Sequence, residues 1–177
     1  MNQGAVVWLT GLPASGKTTL ATRIRERMVA LGAVAVVLDS DALRPILAPE
    51  LGYRPAERDE FYRRLAGLAA LMAEQGCVAV VAATAPTVAQ RARARSMAPR
   101  FIEVYLEVSA EECAARDPKG LYARARGGEA PDLPGVGAPY EPPEVAEVVA
   151  RGGRDEGAAD QVVARLLGSR STPAAGP

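Results

Sequence analysis

Lysine is nearly absent from this chain of 177 residues. It occurs only at Lys17 and Lys119, although Lys and Arg together number 21. An ammonium is compact and a guanidinium is broad and planar, so the two exchange freely only where a surface charge is all that is needed. We therefore expect both lysines to lie where compactness matters. For Lys119, a chance survivor on a solvated face stays the alternative.

Cysteine, net charge and long apolar runs are also scarce. Cys77 begins an apolar run and Cys113 lies in a predicted helix, which favours two buried thiols in a reducing cytosol, with no support for a disulfide. The formal net charge is zero, which argues against nucleic acid or an anionic membrane as the main partner. No apolar run approaches the ~18 residues of a membrane span. A cytoplasmic protein without anchor or export signal is expected.

Apolar runs alternate with helical patterns along the chain. Strands are predicted at residues 5–10, 34–38, 77–83, 101–106 and 147–149, and helices at residues 18–31, 57–75 and 158–167. Nearly continuous apolar strands are typical of a parallel sheet buried on both faces. The sequence predicts one α/β domain over residues 1–168, a parallel sheet covered by helices on both faces, and a flexible tail at residues 169–177.

Residues 127–143 interrupt this alternation, because Gly and Pro crowd in and periodicity disappears. Such a segment is either a disordered insert or a lid over a site. We predict a lid at about residues 119–143 that is mobile without ligand and ordered when substrates are bound.

Residues 11–18 (GLPASGKT) match the pattern G-x-x-x-x-G-K-[ST] between a predicted strand and a predicted helix. Gly11 and Gly16 allow backbone N–H groups to face a phosphate, and the helix N-terminus adds partial positive charge. Lys17 would reach the β- and γ-phosphates of ATP, and the hydroxyl of Thr18 would ligate Mg²⁺. The sequence thus predicts a P-loop NTPase fold whose ATP-binding residues include Gly11, Ala14, Ser15, Gly16, Lys17, Thr18 and Thr19.

Polar residues follow the second predicted strand, at the sheet edge where α/β proteins bind ligands. Asp41 and Arg44 are three residues apart at a helix start, so they should share one face. Asp41 could orient Mg²⁺ or accept a proton from an attacking hydroxyl, and Arg44 could grip an anion. The structural alternative is an N-cap for Asp41 and a surface ion pair for Arg44. Beside a P-loop, we favour the functional interpretation.

A basic stretch occurs at Arg91, Arg93, Arg95 and Arg100. It contains no interleaved aromatic residues and is expected on a solvated helix. A nucleic-acid patch is therefore not predicted.

Six segments spread over nearly the whole domain share a further pattern. They are residues 7–12 (VWLTGL), 38–44 (LDSDALR), 51–58 (LGYRPAER), 101–105 (FIEVY), 116–122 (RDPKGLY) and 138–143 (APYEPP). With them the chain resembles the adenylylsulfate kinase family in its short form. The resemblance implies transfer of the γ-phosphate of ATP to the ribose 3′-hydroxyl of adenosine 5′-phosphosulfate (APS), with Mg²⁺, in sulfate assimilation. It leaves a homodimer open.

The resemblance also implies roles for acceptor-side residues. Asp41 would lie near the acceptor hydroxyl and the metal, and Arg44 and Arg58 would clasp the phosphosulfate, whose oxygens suit bidentate guanidinium contacts. Tyr53 would stack on the acceptor adenine.

On the donor side, the resemblance places Lys119 in the lid, where it would neutralise charge on the transferring phosphate. Arg116 would stack on the ATP base. The scarcity of lysine had already marked Lys119 without reference to any family.

Three acceptor-side positions depart from the family pattern. Phe61 stands where an asparagine is common, Ala85 replaces a serine that some members phosphorylate, and Leu133 replaces a second aromatic residue. A phosphoserine step at position 85 is excluded, although direct transfer does not need one. The changes imply a looser adenosine pocket or a different acceptor.

Two alternatives to an APS kinase therefore stay open. One is a related kinase that phosphorylates another small-molecule hydroxyl, and the other is a nucleotide-binding protein without turnover. Retention of Lys17, Thr18 and Asp41 disfavours the second, because binding alone does not need a positioned carboxylate.

Overall fold

Five apolar segments pair into one parallel sheet in the computed structural model, which describes residues 4–168; the predicted tail lies outside the described residues. The strands are β1 (Ala5–Thr10), β2 (Ala35–Asp39), β3 (Val78–Ala82), β4 (Phe101–Leu106) and β5 (Val148–Ala150). Their order is β2-β3-β1-β4-β5, and every pairing is parallel. β1 and β3 are buried throughout, as strands covered on both faces should be.

Seven helices are described: α1 (Lys17–Ala30), α2 (Ser40–Leu47), α3 (Pro55–Glu74), α4 (Val88–Met97), α5 (Ala110–Arg116), α6 (Leu121–Arg126) and α7 (Glu156–Gly168). Of these, α1 and α7 pack on one face of the sheet and α3 and α4 on the other. The predicted α/β fold class with a doubly covered parallel sheet is confirmed. α3 begins two residues earlier than predicted because Pro55 occupies its first position, where a missing N–H costs nothing.

The alternation of side chains along β1 separates two hydrophobic cores. Val7 and Leu9 face the core formed with α1 and α7, whereas Val6 and Trp8 face the core formed with α3 and α4. A third, small cluster of Val108, Cys113, Tyr122 and Leu133 lies outside these two cores and joins the segment 119–143 to the rest of the domain. Cys77 and Cys113 are both free and buried, as predicted.

The segment 127–143 packs without a periodic apolar face. Leu133 is buried in the third cluster, the hydroxyls of Tyr140 and Thr10 lie 2.9 Å apart, and the N–H of Glu141 donates to the carbonyl of Pro86 at 2.8 Å. Single side chains and backbone hydrogen bonds thus anchor both ends of its irregular part. Its mobility without ligands stays a prediction.

The expectation of a solvated basic helix is wrong for Arg91, whose side chain is only 3 % exposed. Its Nε lies 2.8 Å from Oε1 of Glu103 on β4, and its other nitrogens donate to the carbonyls of Ala85 and Glu141. A buried guanidinium is tolerated only when it is paired and its donors are satisfied. Arg91 therefore ties β4, the loop after β3 and the end of the segment 127–143 together.

The neighbouring arginines also have internal partners. Arg93 pairs with Asp59, Arg95 pairs with Glu147, and Arg100 donates to the carbonyl of Leu166. The basic stretch is thus used in holding helices and strands together. No helix within residues 4–168 is long and apolar enough to cross a membrane.

We predict that Arg91→Ala lowers the free energy of unfolding by about 3–5 kcal/mol, because it leaves the buried carboxylate of Glu103 with only a longer contact, 3.4 Å, to Arg95. Arg93→Ala removes a partly exposed pair on the same helix and should cost no more than about 1 kcal/mol. Urea denaturation of both variants measures the two values. Equal, small losses would contradict the structural role of Arg91.

Candidate active site

A cavity of about 1340 Å³ opens at the carboxyl edge of the sheet. Its walls come from the loop after β1, the start of α2, one end of α3, the segment 116–134 and the loop after β5. This is the edge where parallel α/β sheets bind ligands, and the volume exceeds that of a site for one small ligand. It can hold two substrates side by side.

Most of the predicted site residues line this one cavity: Ala14, Gly16, Lys17, Thr18, Thr19, Asp41, Arg44, Tyr53, Arg58, Phe61, Arg116, Lys119 and Leu133. Gly11 and Ser15 do not, because they are buried inside the loop that shapes it.

Ala85 is placed differently from the prediction that it contacts the acceptor. Its side chain is fully buried in the core under α3 and α4 and does not line the cavity. The backbone at Ala85 is left-handed, with φ of 39°, and Arg91 holds its carbonyl. In this turn it is the preceding residue, Thr84, that reaches the cavity wall.

The P-loop holds its lysine ready for a phosphate. Gly11 and Gly16 adopt φ of 150° and 100°, which a residue with a side chain rarely adopts. The ammonium of Lys17 donates to the carbonyls of Gly11 and Leu12 at 2.9 and 2.8 Å. Burial lowers the pKa of Lys17 to about 8, and the carboxylate of Asp41 acts in the opposite direction. The group is therefore still mainly cationic at neutral pH.

Asp39, rather than Asp41, caps helix α2. One carboxylate oxygen of Asp39 accepts from the N–H groups of Asp41 and Ala42 at 2.9 and 3.3 Å, and the other accepts from the hydroxyl of Thr18 at 2.6 Å. The capping alternative for Asp41 is thus wrong. Sequence reasoning did not assign Asp39 to the site, although an aspartate directly before a helix is the ordinary signal for a cap.

The capping by Asp39 leaves the carboxylate of Asp41 facing the cavity, where it meets Lys119. Nζ of Lys119 lies 2.5 Å from Oδ2 of Asp41, across 78 positions of sequence. This hydrogen bond raises the pKa of Lys119 and keeps it protonated. Both side chains are more than half exposed, so the pair contributes little to stability and can open at low cost.

Arg44, one turn after Asp41 on α2, and Arg58 on α3 also line the cavity, and neither forms an ion pair among residues 4–168. The Arg44 guanidinium lies 4.5 Å from the ring centre of Tyr53 and 4.0 Å from that of Phe61. Arg58 donates to the carbonyls of Tyr53 and Asp132 at 2.7 Å each. The surface-pair alternative for Arg44 is therefore wrong, and both positive charges are available to an anion.

A second glycine loop, absent from the sequence prediction, presses on the P-loop. A Cβ at Gly153 would lie 2.6 Å from the carbonyl oxygen of Gly16 and 2.8 Å from Cβ of Thr19. Only glycine permits this approach, which brings Arg151 and Arg154 into the cavity wall beside Arg116. The pair of glycines directly after the last strand was the available signal.

The oxygen donors beside the P-loop fit a magnesium ion better than a metal held by protein alone. The hydroxyl of Thr18 and the carboxylate of Asp39 are hard oxygen ligands 2.6 Å apart. Within residues 4–168 no group of three His, Cys, Asp or Glu side chains could hold a metal ion. Mg²⁺ is typically held by one or two protein oxygens together with substrate phosphates, and the oxygens of Thr18 and Asp39 fit the protein part of such a set.

The parallel sheet, the P-loop and the cavity at the carboxyl edge of the sheet define a P-loop kinase. The sequence profile of the family described as adenylylsulphate kinase matches residues 3–151. The adenylyl-sulfate kinase of Paraburkholderia xenovorans is 41% identical over 169 residues, which cover 93% of this chain and 94% of that protein. The adenylyl-sulfate kinase of a Synechococcus species is 42% identical over 149 residues, covering 84% and 85%.

A solved structure is also similar. The APS kinase of Mycobacterium tuberculosis, in complex with AMPPNP and APS, superposes with a TM-score of 0.87 at 37% identity, covering 95% of this chain and 99% of that one. The chain belongs to the adenylylsulfate kinase family, which confirms the resemblance identified in the sequence.

The contact between the glycine loops gives a direct test of how the P-loop is shaped. We expect Gly153→Ala to weaken binding of the ATP analogue AMPPNP by about 5- to 150-fold, because the new methyl group must push the P-loop out of place. The control is Gly157→Ala on α7, where the added Cβ meets nothing closer than 3.5 Å. It should bind AMPPNP like the parent protein in calorimetry. Unchanged affinity in Gly153→Ala would contradict the proposed role of this contact.

Proposed function

We propose that the protein transfers the γ-phosphoryl group of ATP to the ribose 3′-hydroxyl of APS, giving 3′-phosphoadenosine 5′-phosphosulfate and ADP. Membership of the adenylylsulfate kinase family supports this reaction. The observation that carries it is the layout of the single cavity. The same cavity is lined by the P-loop, by Arg44 and Arg58, which form no ion pair among residues 4–168, and by the Asp41–Lys119 pair.

The donor end binds and polarises the triphosphate. Lys17 would exchange its two carbonyl contacts for oxygens of the β- and γ-phosphates, which costs little because the ammonium is already desolvated and positioned. Thr18 and Asp39 are the residues that would hold Mg²⁺, with Asp41 as a further carboxylate in the same wall. When bound, the ion neutralises charge on the phosphate oxygens.

The acceptor end binds the phosphosulfate. Arg44 and Arg58 present two guanidinium groups without competing carboxylates, and planar bidentate contacts suit sulfate and phosphate oxygens. Tyr53 is 58% exposed, and its ring, which Arg44 and Arg58 approach at 4.5 and 5.4 Å, would supply the aromatic surface for the adenine. Leu133 adds an apolar part of the wall.

The chemical step joins the 3′-oxygen of the acceptor to the γ-phosphorus while the bond from that phosphorus to the β,γ-bridging oxygen breaks. Asp41 would accept the hydroxyl proton, and ADP leaves with the bridging oxygen. Lys119, which holds Asp41 beforehand, would move to the transferring phosphoryl group and release the carboxylate for its role as base. The arrangement favours turnover over nucleotide binding alone.

A different hydroxyl acceptor is the second candidate, and Phe61 is the observation that favours it. This ring and Leu133 line the acceptor end where family members commonly carry an amide and an aromatic residue. The acceptor pocket is therefore less polar than the family pattern, which alters how a base or sugar would be recognised.

We expect APS-dependent release of ADP by the parent protein in a coupled assay, and a loss of about 10²- to 10⁴-fold in turnover for Asp41→Asn. The amide keeps the shape and removes the charge, so affinity for AMPPNP should stay within about tenfold. Asp59→Asn, which changes an exposed aspartate outside the cavity, is the control. ADP release with another small hydroxyl acceptor but not with APS would favour the second candidate. Absence of ADP release with every acceptor tested, APS included, would contradict both.

Lys119→Arg tests the need for a compact cation. We expect a loss of turnover of roughly tenfold or more with little change in ATP affinity, because a guanidinium keeps the charge but not the size needed between Asp41 and a phosphate. Arg63→Lys exchanges the same two groups on the outer face of α3 and should have no effect. Turnover equal to the parent would return Lys119 to a surface residue.

A further inference from the structure

Arg44 contacts two aromatic rings that differ in burial. Its guanidinium lies between Phe61 at 4.0 Å and Tyr53 at 4.5 Å, and its Nη1 donates to the carbonyl of Gly52 at 2.8 Å. Tyr53 is 58% exposed, whereas Phe61 is fully buried. Of the two faces that contact the guanidinium, only the one from Phe61 belongs to the core.

The core fixes the orientation of the Phe61 ring. Phe61 projects from α3 into the cluster beneath β1 and β3, with the ring of Tyr62 at 5.4 Å between centroids. A fully buried ring surrounded by packed side chains has few rotamers available. A long arginine side chain, in contrast, has several rotatable bonds and loses much entropy when it binds an anion from a free state.

From these contacts we infer that Phe61 is a positioning residue for the acceptor: its buried ring fixes the plane of the Arg44 guanidinium for the anionic group of the substrate. The inference rests on the proposed function, because it takes that group to be the phosphosulfate. The two rings accept no N–H group in a conventional hydrogen bond, and among residues 4–168 only the carbonyl of Gly52 accepts from Arg44, so its other N–H groups are free for an anion.

The position also marks where this chain replaces an amide by a ring. An amide contacts a ligand by hydrogen bonds, whereas a ring beneath a guanidinium acts through the cation. With Phe61 in place of an amide, selectivity for the acceptor would depend on the orientation of Arg44 and no longer on a direct hydrogen bond from this position. It preserves anion binding without a polar group at the base of the pocket.

The first test separates the two substrates by steady-state kinetics. We expect Phe61→Leu, which keeps an apolar core residue but removes the ring, to raise KM for APS by about 3- to 30-fold. KM for ATP should change less than about twofold, because Phe61 is not part of the P-loop. Leu65→Val on the same helix and in the same core cluster is the control for loss of stability, and should leave both KM values unchanged. Equal changes in both KM values for Phe61→Leu would overturn the inference.

A double-mutant cycle then asks whether Phe61 acts through Arg44. In an Arg44→Ala background, Phe61→Leu should have no further effect on KM for APS, because the cation that the ring holds is gone. Independent, multiplying effects of the two substitutions would show that Phe61 contacts the acceptor itself and would contradict the positioning role.

A readout without substrate distinguishes this inference from the proposed function. In nuclear magnetic resonance spectra, the Nε–H of Arg44, assigned by its loss in Arg44→Lys, should show a ring-current shift that decreases in Phe61→Leu. If the shift decreases as expected but the parent enzyme does not use APS, the proposed function fails, and the positioning of Arg44 by Phe61 is still supported. If APS is used and Phe61→Leu changes neither the shift nor KM, the inference fails and the proposed function stands.

Discussion

The carboxylate of Asp39 joins the two halves of the cavity. One of its oxygens accepts from the backbone at the start of α2 and the other accepts from Thr18 on α1. The start of α2 carries Asp41 and Arg44. The side chain of Asp39 therefore fixes the position of these two residues relative to the P-loop. Because β2 ends at Asp39, the position of this residue follows from the register of β2 against the buried strand β3. The sheet thereby restricts variation in the distance between the P-loop and the start of α2.

Whether an arginine has a carboxylate partner separates the structural arginines from those of the cavity. Arg91 is buried and paired with Glu103, and two of its nitrogens donate to carbonyls, so that its side chain holds three segments together. Arg44 and Arg58 reach the cavity with no ion pair among the described residues, and backbone carbonyls take only part of their hydrogen-bonding capacity. A guanidinium without an acid partner attracts an external anion. Arginine thus holds segments of the fold together where it pairs with a carboxylate, and is available to a ligand where it does not.

Local patterns predicted most of the fold, whereas contacts between distant segments could not be predicted. The apolar runs defined the strands within a residue or two, and the P-loop and Asp41 were found from spacing alone. Burial of Arg91 on α4 depends on Glu103 on β4, and the requirement for glycine at Gly153 depends on the P-loop 137 positions earlier. Ala85 was assigned to the acceptor by resemblance, but a left-handed turn takes its methyl group into the core. Such facts arise from packing, which a pattern along one chain does not contain.

The two lysines illustrate how composition can carry functional information. Both line the same cavity, and Asp41 acts on both: it offsets the burial that lowers the pKa of Lys17 and it accepts a hydrogen bond from Lys119. The cavity wall therefore holds the carboxylate of Asp41 together with two compact cations. Lys119 is hydrogen-bonded to it, and Lys17 interacts with it through space. A guanidinium at either position would widen this arrangement, because its charge is spread over a plane and cannot enter between adjacent oxygens. In a chain that uses arginine nearly everywhere else, both lysines line one cavity, which is what the size of the cation leads us to expect.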